Sequence, residues 1–422
     1  MTEGRVHDGL KGIPPGTPEF ALDALGDRGW HALRDLSLPA ALLRRSALDH
    51  NSAFIRRLLG SSGALYAPHG KTSMSPELFQ EQLRDGAWAI TLATVSQVAA
   101  ARRFGVSRIL LANEVVDAQG LRWLAEERRR DPGFELFGYV DSEDGVSLWA
   151  EALGAPRVPL PLLLEVGFAG GRAGCRSLAD VLRVARAVAR TPSLSLRGVA
   201  GFEGIVHADS DAKSDAAVSA FVGQIRAAAR ELDALGLFAP GDVLLSAGGS
   251  AYYDLVQAGL GAAALERPFR VVLRSGCLLS HDDGTYARAY TRLAQRAPEI
   301  AALGGGPRPA LELWADVLSR PEPTRAVAGL GKRDAAHDAG LPTPKLWFRP
   351  GVHEAPQPIS GITTCGLNDQ HALLDVAADA AIRPGDKLGF GISHPCLTFD
   401  RWRLLFVVDD AYRILGGVRT FF

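Results

Sequence analysis

From Ala64 onward the chain alternates short β-rich runs with stretches whose apolar residues recur near every 3.6 positions. This is the pattern of right-handed βαβ units around a parallel sheet. The strand runs are ALYAPHGKT (64–72), AITLAT (89–94), RILLAN (108–113), ELFGYV (135–140), PLLLEVG (161–167), SLRGVAGFEG (195–204), DVLLSAGG (242–249) and FRVVLRSG (269–276). Between them lie helical stretches such as VSQVAAARRFG, LRWLAEERRR and LADVLRVARAVAR, suited to an outer ring. Eight such strands predict an α/β fold, a (β/α)8 TIM-like barrel, with the barrel domain spanning 46–276.

After Gly276 the alternation stops. LELWADVLSR, PKLWFRP, DKLGFGISHPCLTF and RWRLLFVVDDAYRILGGVRTF are short alternating or apolar runs divided by Gly, Pro and Asp. They predict a second, mainly β domain over 277–422.

The length, 422 residues, accommodates this two-domain plan. The formal net charge is −1 with Lys and Arg scattered, so the basic stripe that nucleic-acid binding needs is missing and no such partner is expected. The first residues, MTEGRVHDGLKGIPPG, lack the pattern of a signal peptide, and no apolar run reaches the roughly 18 residues of a membrane span, so a soluble, cytoplasmic protein is expected. Four cysteines, Cys175, Cys277, Cys365 and Cys396, are too few for a disulfide framework; Cys396 is the one expected to act as a ligand.

Barrel active sites lie at the carboxyl ends of the strands. Those ends carry His69, Lys71, Thr94, Asn113, Arg172, Glu203, His207 and the run Ser246–Ser250. Lys71 closes the first strand, where an inward lysine would be desolvated and its pKa lowered, as Schiff-base chemistry requires; an exposed lysine opening a helix is the plainer alternative. SAGGS (246–250) precedes a helical stretch, so its backbone N–H groups and the helix N-terminus suit a phosphate. Arg172 and Arg274 sit where a guanidinium would reach a bound cofactor, although ordinary loop arginines fit the same positions. His394 and Cys396, two apart in SHPCLTFD, share one face if extended, and an imidazole with a thiolate favours zinc. Two ligands are few for zinc, so by spacing alone a satisfied histidine beside a buried thiol is the plainer reading of the pair.

Taken in order, PHGKTSMSP, an Arg-x-Gly loop, a Gly-Gly-Ser turn and HPCLTFDRW resemble the D-serine dehydratase and D-threonine aldolase family, with GKRDAAHDAGLP (331–342) and LNDQHALL (367–374) as further matches. These proteins share the pyridoxal-phosphate barrel of alanine racemase, in which the chain often begins in the β domain. The resemblance therefore assigns part of 1–45 to the second domain. It implies that Lys71 is the Schiff-base lysine, that Arg172 contacts the cofactor's ring oxygen, and that Ser246, Gly248, Gly249 and Ser250 hold the phosphate. His69, Thr94 and Arg274 are further cofactor contacts on the same rim. His394 and Cys396 are implied to bind zinc or another divalent metal, and Asn368, Asp369 and His371 to be candidates for the substrate pocket. Two departures are Leu278, where the family often has an aromatic, and GFEGIVH in place of a tyrosine-containing run.

The resemblance implies dehydration of a small D-3-hydroxy amino acid, such as D-serine or D-threonine, to a keto acid and ammonia. Metal-dependent retro-aldol cleavage to glycine and an aldehyde is the alternative, with dehydration favoured because Cys396 stands where the aldolases tend to carry an aspartate. A racemase and a non-catalytic pyridoxal-phosphate carrier are further readings on the barrel alone. A homodimer is expected, because this barrel class usually pairs head to tail.

Overall fold

The computed structural model describes residues 4–422; the first three residues of the expected N-terminal part of the β domain lie outside it. Eight short parallel strands follow one another in chain order: Leu65–Tyr66, Ile90–Leu92, Arg108–Leu111, Glu135–Val140, Leu160–Val166, Leu194–Gly201, Val243–Ala247 and Phe269–Leu273. The eighth pairs with the first through Val272–Leu65 and Leu273–Tyr66. The ring closes between the first and second at a parallel bridge from His69 to Thr91, with the Thr91 N–H donating to Pro68 O at 2.9 Å. The fold is the expected TIM-like barrel.

Side chains alternate across each strand, so one set fills the bore and the other meets the helices. Ala67, Leu110, Phe137, Tyr139, Leu163, Ala200, Leu244 and Val272 pack together inside. The helices start where the sequence supplies a cap: Thr94, Asp117, Ser142, Ser177 and Ser210 each accept a backbone N–H two or three residues ahead. Burying the apolar faces of these helices, including Trp149 and Phe221, seals the outer layer.

A helix that the sequence reading did not anticipate, Thr285–Arg296, follows the eighth strand. Its apolar residues Tyr286, Ala289, Tyr290 and Leu293 recur at helical spacing, and Ala289 and Leu293 are its buried positions. It is held to the barrel by Arg296, which pairs with Asp254 and Asp215.

Beyond it lies a ten-stranded sheet. Its central strand, Leu311–Glu322, is antiparallel to Lys387–Gly391 and to Ala40–Arg44, and the last of these runs parallel to Leu404–Val408. Strand Ala40–Arg44 thus enters this sheet before the chain reaches the barrel. Leu42, Trp314, Phe348 and Phe406 are fully buried in the core on one side of this sheet. The sheet body meets the barrel at the first strand: the short helix Cys396–Phe399 packs on the turn Gly70–Thr72, Arg419 pairs with Glu77, and the Phe421 N–H donates to Met74 O at 2.9 Å.

Among the described residues no helix is long and apolar enough to cross a membrane.

Candidate active site

Lys71 sits in the one-turn helix Gly70–Thr72, immediately after the bridge that closes the barrel. Gly276, at the end of the eighth strand, lies so close that a Cβ there would stand 2.5 Å from Thr72 Oγ1 and 2.7 Å from His69 O. The Lys71 amine is half-buried and its pKa is lowered, first by burial; Arg172 and Arg274 push it the same way, while Cys396 and Cys277 oppose them. Part of its population is therefore neutral at lower pH than for an exposed lysine, as a nucleophilic amine needs.

His69 is partly buried and stays neutral, because burial and the charges of Lys71, Arg274 and Arg172 all disfavour its imidazolium. Its Nδ1 has no hydrogen-bond partner within the protein, and neither does Tyr139 Oη on the barrel floor. Unpartnered buried polar atoms of this kind call for a polar partner, which a bound ligand would supply.

Arg274 is 3 % exposed. Its Nε donates to Ser246 Oγ at 2.9 Å, its second amine to Gly201 O at 2.6 Å, and its guanidinium lies over the Tyr139 ring. Ser246 Oγ in turn donates to Val272 O at 2.9 Å. Ser246 is thus a buried anchor for Arg274, with its hydroxyl already engaged, and does not have the free group expected of a phosphate ligand. Arg172 is exposed, stacks over Phe202, and projects its charge onto His69, Lys71 and Glu165.

The Gly-rich turn also differs from expectation. The N–H groups of Gly248 and Gly249 donate to Glu203, at 2.9 and 2.5 Å. Glu203 is buried, and a Cβ at Gly249 would fall 2.6 Å from its carboxylate. These two glycines therefore let the turn close on Glu203, and their amides are committed to it. What the turn leaves open is the start of the helix Tyr253–Gly261, whose N-cap position, Tyr252, makes no side-chain cap bond. Uncapped N–H groups at a helix N-terminus, beside Ser250, suit a phosphate. Ser250 Oγ accepts the Cys277 N–H at 3.2 Å. Thr94, by contrast, is an exposed helix cap bonded to Gln97 N and Ser96, which accounts for it without a cofactor.

Two carboxyl groups missed by the sequence reading lie deeper in the mouth. Glu114 is pushed up to about 9 by burial and by the neighbouring Glu165, and neither of its carboxyl oxygens has a hydrogen-bond partner, so the pair holds a proton at neutral pH. The signal was present in PLLLEV, where Glu165 interrupts an apolar strand and a buried carboxylate needs a partner.

On the other side of Lys71, His394 and Cys396 come together. Asp338 Oδ2 lies 2.7 Å from His394 Nδ1, leaving Nε2 to face Cys396. The imidazolium is favoured up to about 9, first by its bond to Cys396 and then by Asp338. Carboxylate-to-histidine contact of this kind fixes the ring of a metal ligand. Cys396 Sγ is 3.4 Å from Thr72 Oγ1 and 3.7 Å from Cys277 Sγ. Among the described residues no group of three His, Cys, Asp or Glu side chains is placed to hold one metal ion, so a metal here would have two protein donors and open positions. Asp338 lies in GKRDAAHDAGLP, but 56 residues separate it from His394 and only the fold joins them.

Asn368, Asp369 and His371 lie apart, on an exposed turn between strands Ile362–Leu367 and Ala372–Val376. Asp369 pairs with Arg333, and the Asn368 and Asp369 carbonyls accept from Lys332 and Arg333.

A closed parallel barrel with a desolvated lysine after its first strand and a cationic, phosphate-ready rim defines an alanine racemase-type barrel enzyme. Residues 43–264, just over half of the chain, match the family described as "Alanine racemase, N-terminal domain", and residues 310–408 match "Putative serine dehydratase domain". The chain belongs to the alanine racemase N-terminal domain family, that of the fold type III pyridoxal-phosphate enzymes, in its D-serine dehydratase and D-threonine aldolase-like branch of lyases. It is 25% identical over 311 residues to a 3-hydroxy-D-aspartate aldolase of Paracoccus denitrificans, covering 73% of this chain and 75% of that one. In fold it is similar to D-threonine aldolase from Filomicrobium marinum (TM-score 0.77, 22% identity, 92% and 95% covered). It is also similar to D-threo-3-hydroxyaspartate dehydratase from Delftia sp. HT23 (TM-score 0.70, 21% identity, 92% and 98% covered), which has been solved with a cysteine replaced by alanine in a metal-free form.

Proposed function

We propose that this protein is a pyridoxal-phosphate- and zinc-dependent lyase that removes water from a small D-3-hydroxy amino acid, giving a keto acid and ammonia. The reading rests on one juxtaposition: Cys396 Sγ lies 3.4 Å from the hydroxyl of Thr72, the residue next to Lys71. A lysine able to hold the cofactor and a thiol–imidazole pair able to hold a metal thus share one cleft.

The residues fit both groups. For the cofactor there are a half-buried amine at Lys71, orphaned polar atoms on His69 and Tyr139, a cationic wall of Arg172 and Arg274, and the open helix start after Ser250. When bound, pyridoxal phosphate supplies an electron sink for the substrate's Cα. His394 and Cys396 would hold zinc, whose chemistry makes a β-hydroxyl a better leaving group.

The protein's own tasks follow from position. Lys71, once displaced by the substrate amine, is the base for the Cα proton, since its lowered pKa leaves a neutral amine available. Arg172 and Arg274 orient anionic groups at the mouth. Asp338 keeps His394 turned toward Cys396. The buried Glu203 fixes the turn at Gly248 and Gly249, so the helix start behind it is in place before any ligand arrives.

Retro-aldol cleavage is the second reading, favoured by the aldolases among the relatives. Dehydration stands first because Cys396 is a soft thiolate donor that suits zinc over manganese or magnesium. Incubation with D-serine, D-threonine and D-threo-3-hydroxyaspartate, measuring keto acid against glycine, decides between them; glycine without keto acid overturns the dehydratase reading. A cytoplasmic homodimer completes the proposal, and a monomeric mass at micromolar concentration would contradict the dimer.

A further inference from the structure

The site just described leaves one of its closest neighbours without a task. Cys277, in the turn after the eighth barrel strand, is 3 % exposed, and its Sγ lies 3.7 Å from Cys396 Sγ, although 119 residues separate the two in sequence. Both are free thiols. Thr72 Oγ1 stands beside both sulfurs, at 3.9 and 3.4 Å. The remaining cysteines are differently placed: Cys175 Sγ donates to Asp141 O and Cys365 Sγ to Leu373 O, each at 3.3 Å.

We propose that Cys277 and Cys396 are an oxidative modification site, closing to a disulfide under a hydroperoxide and so withdrawing Cys396 from the metal. The sulfurs are already at van der Waals contact, 3.7 Å apart, and must approach to a bond length of about 2.0 Å. Cys396 is the partly exposed member of the pair and meets the oxidant first. Its thiolate attacks one peroxide oxygen; the O–O bond breaks, leaving a sulfenic acid on Cys396, and the departing hydroxide becomes water on taking a proton. The Cys277 sulfur then attacks Cys396 Sγ. The S–S bond forms, the S–O bond breaks, and the oxygen leaves as a second water with the Cys277 proton. Two thiols are oxidised by two electrons in total and one hydroperoxide is reduced. A disulfide sulfur carries no negative charge and is a far weaker donor than a thiolate, so the metal pair loses one of its two protein donors. The same bond would tie the barrel to the sheet body across the cleft.

The linked form is independent of the metal; its consequence rests on the metal reading of Proposed function. The test uses the full chain with its cofactor, once metal-loaded and once after chelation, treated with one equivalent of hydrogen peroxide and then alkylated. The expected result is a cross-linked peptide joining Cys277 to Cys396, an intact mass lower by two hydrogens, reversal by dithiothreitol, and metal released in step with the link. Cys277→Ser and Cys277→Ala should both abolish the link and leave added oxygen on Cys396. If the chelated protein yields Cys277 and Cys396 only as separately alkylated peptides while Cys365 has been oxidised, the inference falls and the metal reading stands. If the link forms but no metal binds before it or leaves with it, the disulfide stands and the metal reading falls.

Discussion

The two ends of the cleft are built differently. The cofactor end belongs to a single closed sheet: Lys71, His69, Arg274 and Ser246 are fixed by neighbouring strands, and Glu203 pins the Gly-rich turn with two short bonds. The end proposed to hold a metal is assembled across two bodies, with His394 and Cys396 brought by the sheet domain to a turn of the barrel, and among the described residues it offers two protein donors. An end made from one cooperative layer keeps its geometry through local changes. An end made by docking depends on every contact along the seam.

That contrast can be broken or sharpened by experiment. The largest effect is expected from Lys71→Ala, which should lower turnover by about 10³-fold or more and remove the cofactor's visible absorbance, since base and anchor are lost together. Retention of the band would mean that the cofactor is anchored elsewhere. Next, Cys396→Ala should strip the metal and lower turnover by about 10²-fold or more while leaving the cofactor band intact; loss of the band as well would show the two ends to be one cooperative unit. Asp338→Asn keeps the shape but weakens the hold on His394, and metal affinity measured by competition with a chelator should fall roughly 10- to 100-fold.

A smaller effect concerns pH. Only the neutral Lys71 amine attacks the cofactor's aldehyde, so the rate of loading onto apoprotein should rise with pH and level off below the ordinary lysine value of 10.5. Arg172 lowers that pKa, so Arg172→Leu should move the inflection upward. An unmoved inflection would mean that burial alone tunes the amine. The smallest change is expected at the exposed turn: Asn368→Ala should alter stability by less than about 0.5 kcal/mol, and a measured rise in KM would bring that turn into a substrate pocket.

The difference between the ends also explains what could be read from sequence. The barrel was legible because each strand carries its own periodicity and its own turn, and Lys71 because a lysine terminates an apolar strand. Contacts across strands left weaker traces. Glu114 and Glu165 are 51 residues apart and Asp338 and His394 are 56 apart, so neither pairing is visible until the chain folds. Glycines and serine in SAGGS announced a special turn correctly, but not that a carboxylate from the sixth strand's exit would claim its amides. The helix Thr285–Arg296 was legible in the spacing of Tyr286, Ala289, Tyr290 and Leu293 although the alternation of strands had ended, whereas Cys277 was hidden by its resemblance to any small buried residue.

The first barrel strand is only Leu65–Tyr66, and past it the backbone is tied sideways by separate bonds, from Ala67 N–H to Leu273 O, from Thr91 to Ala67 O and Pro68 O, and through the bridge at His69. A long, fully laddered strand would hold the lysine's anchor like a post. Here the anchor is a single hydrogen-bonded turn on the barrel's closing seam, and the amine's travel comes from its own flexible four-carbon stem. A group that must release one bonding partner and reach for another a few ångströms away gains more from such slack than from rigidity.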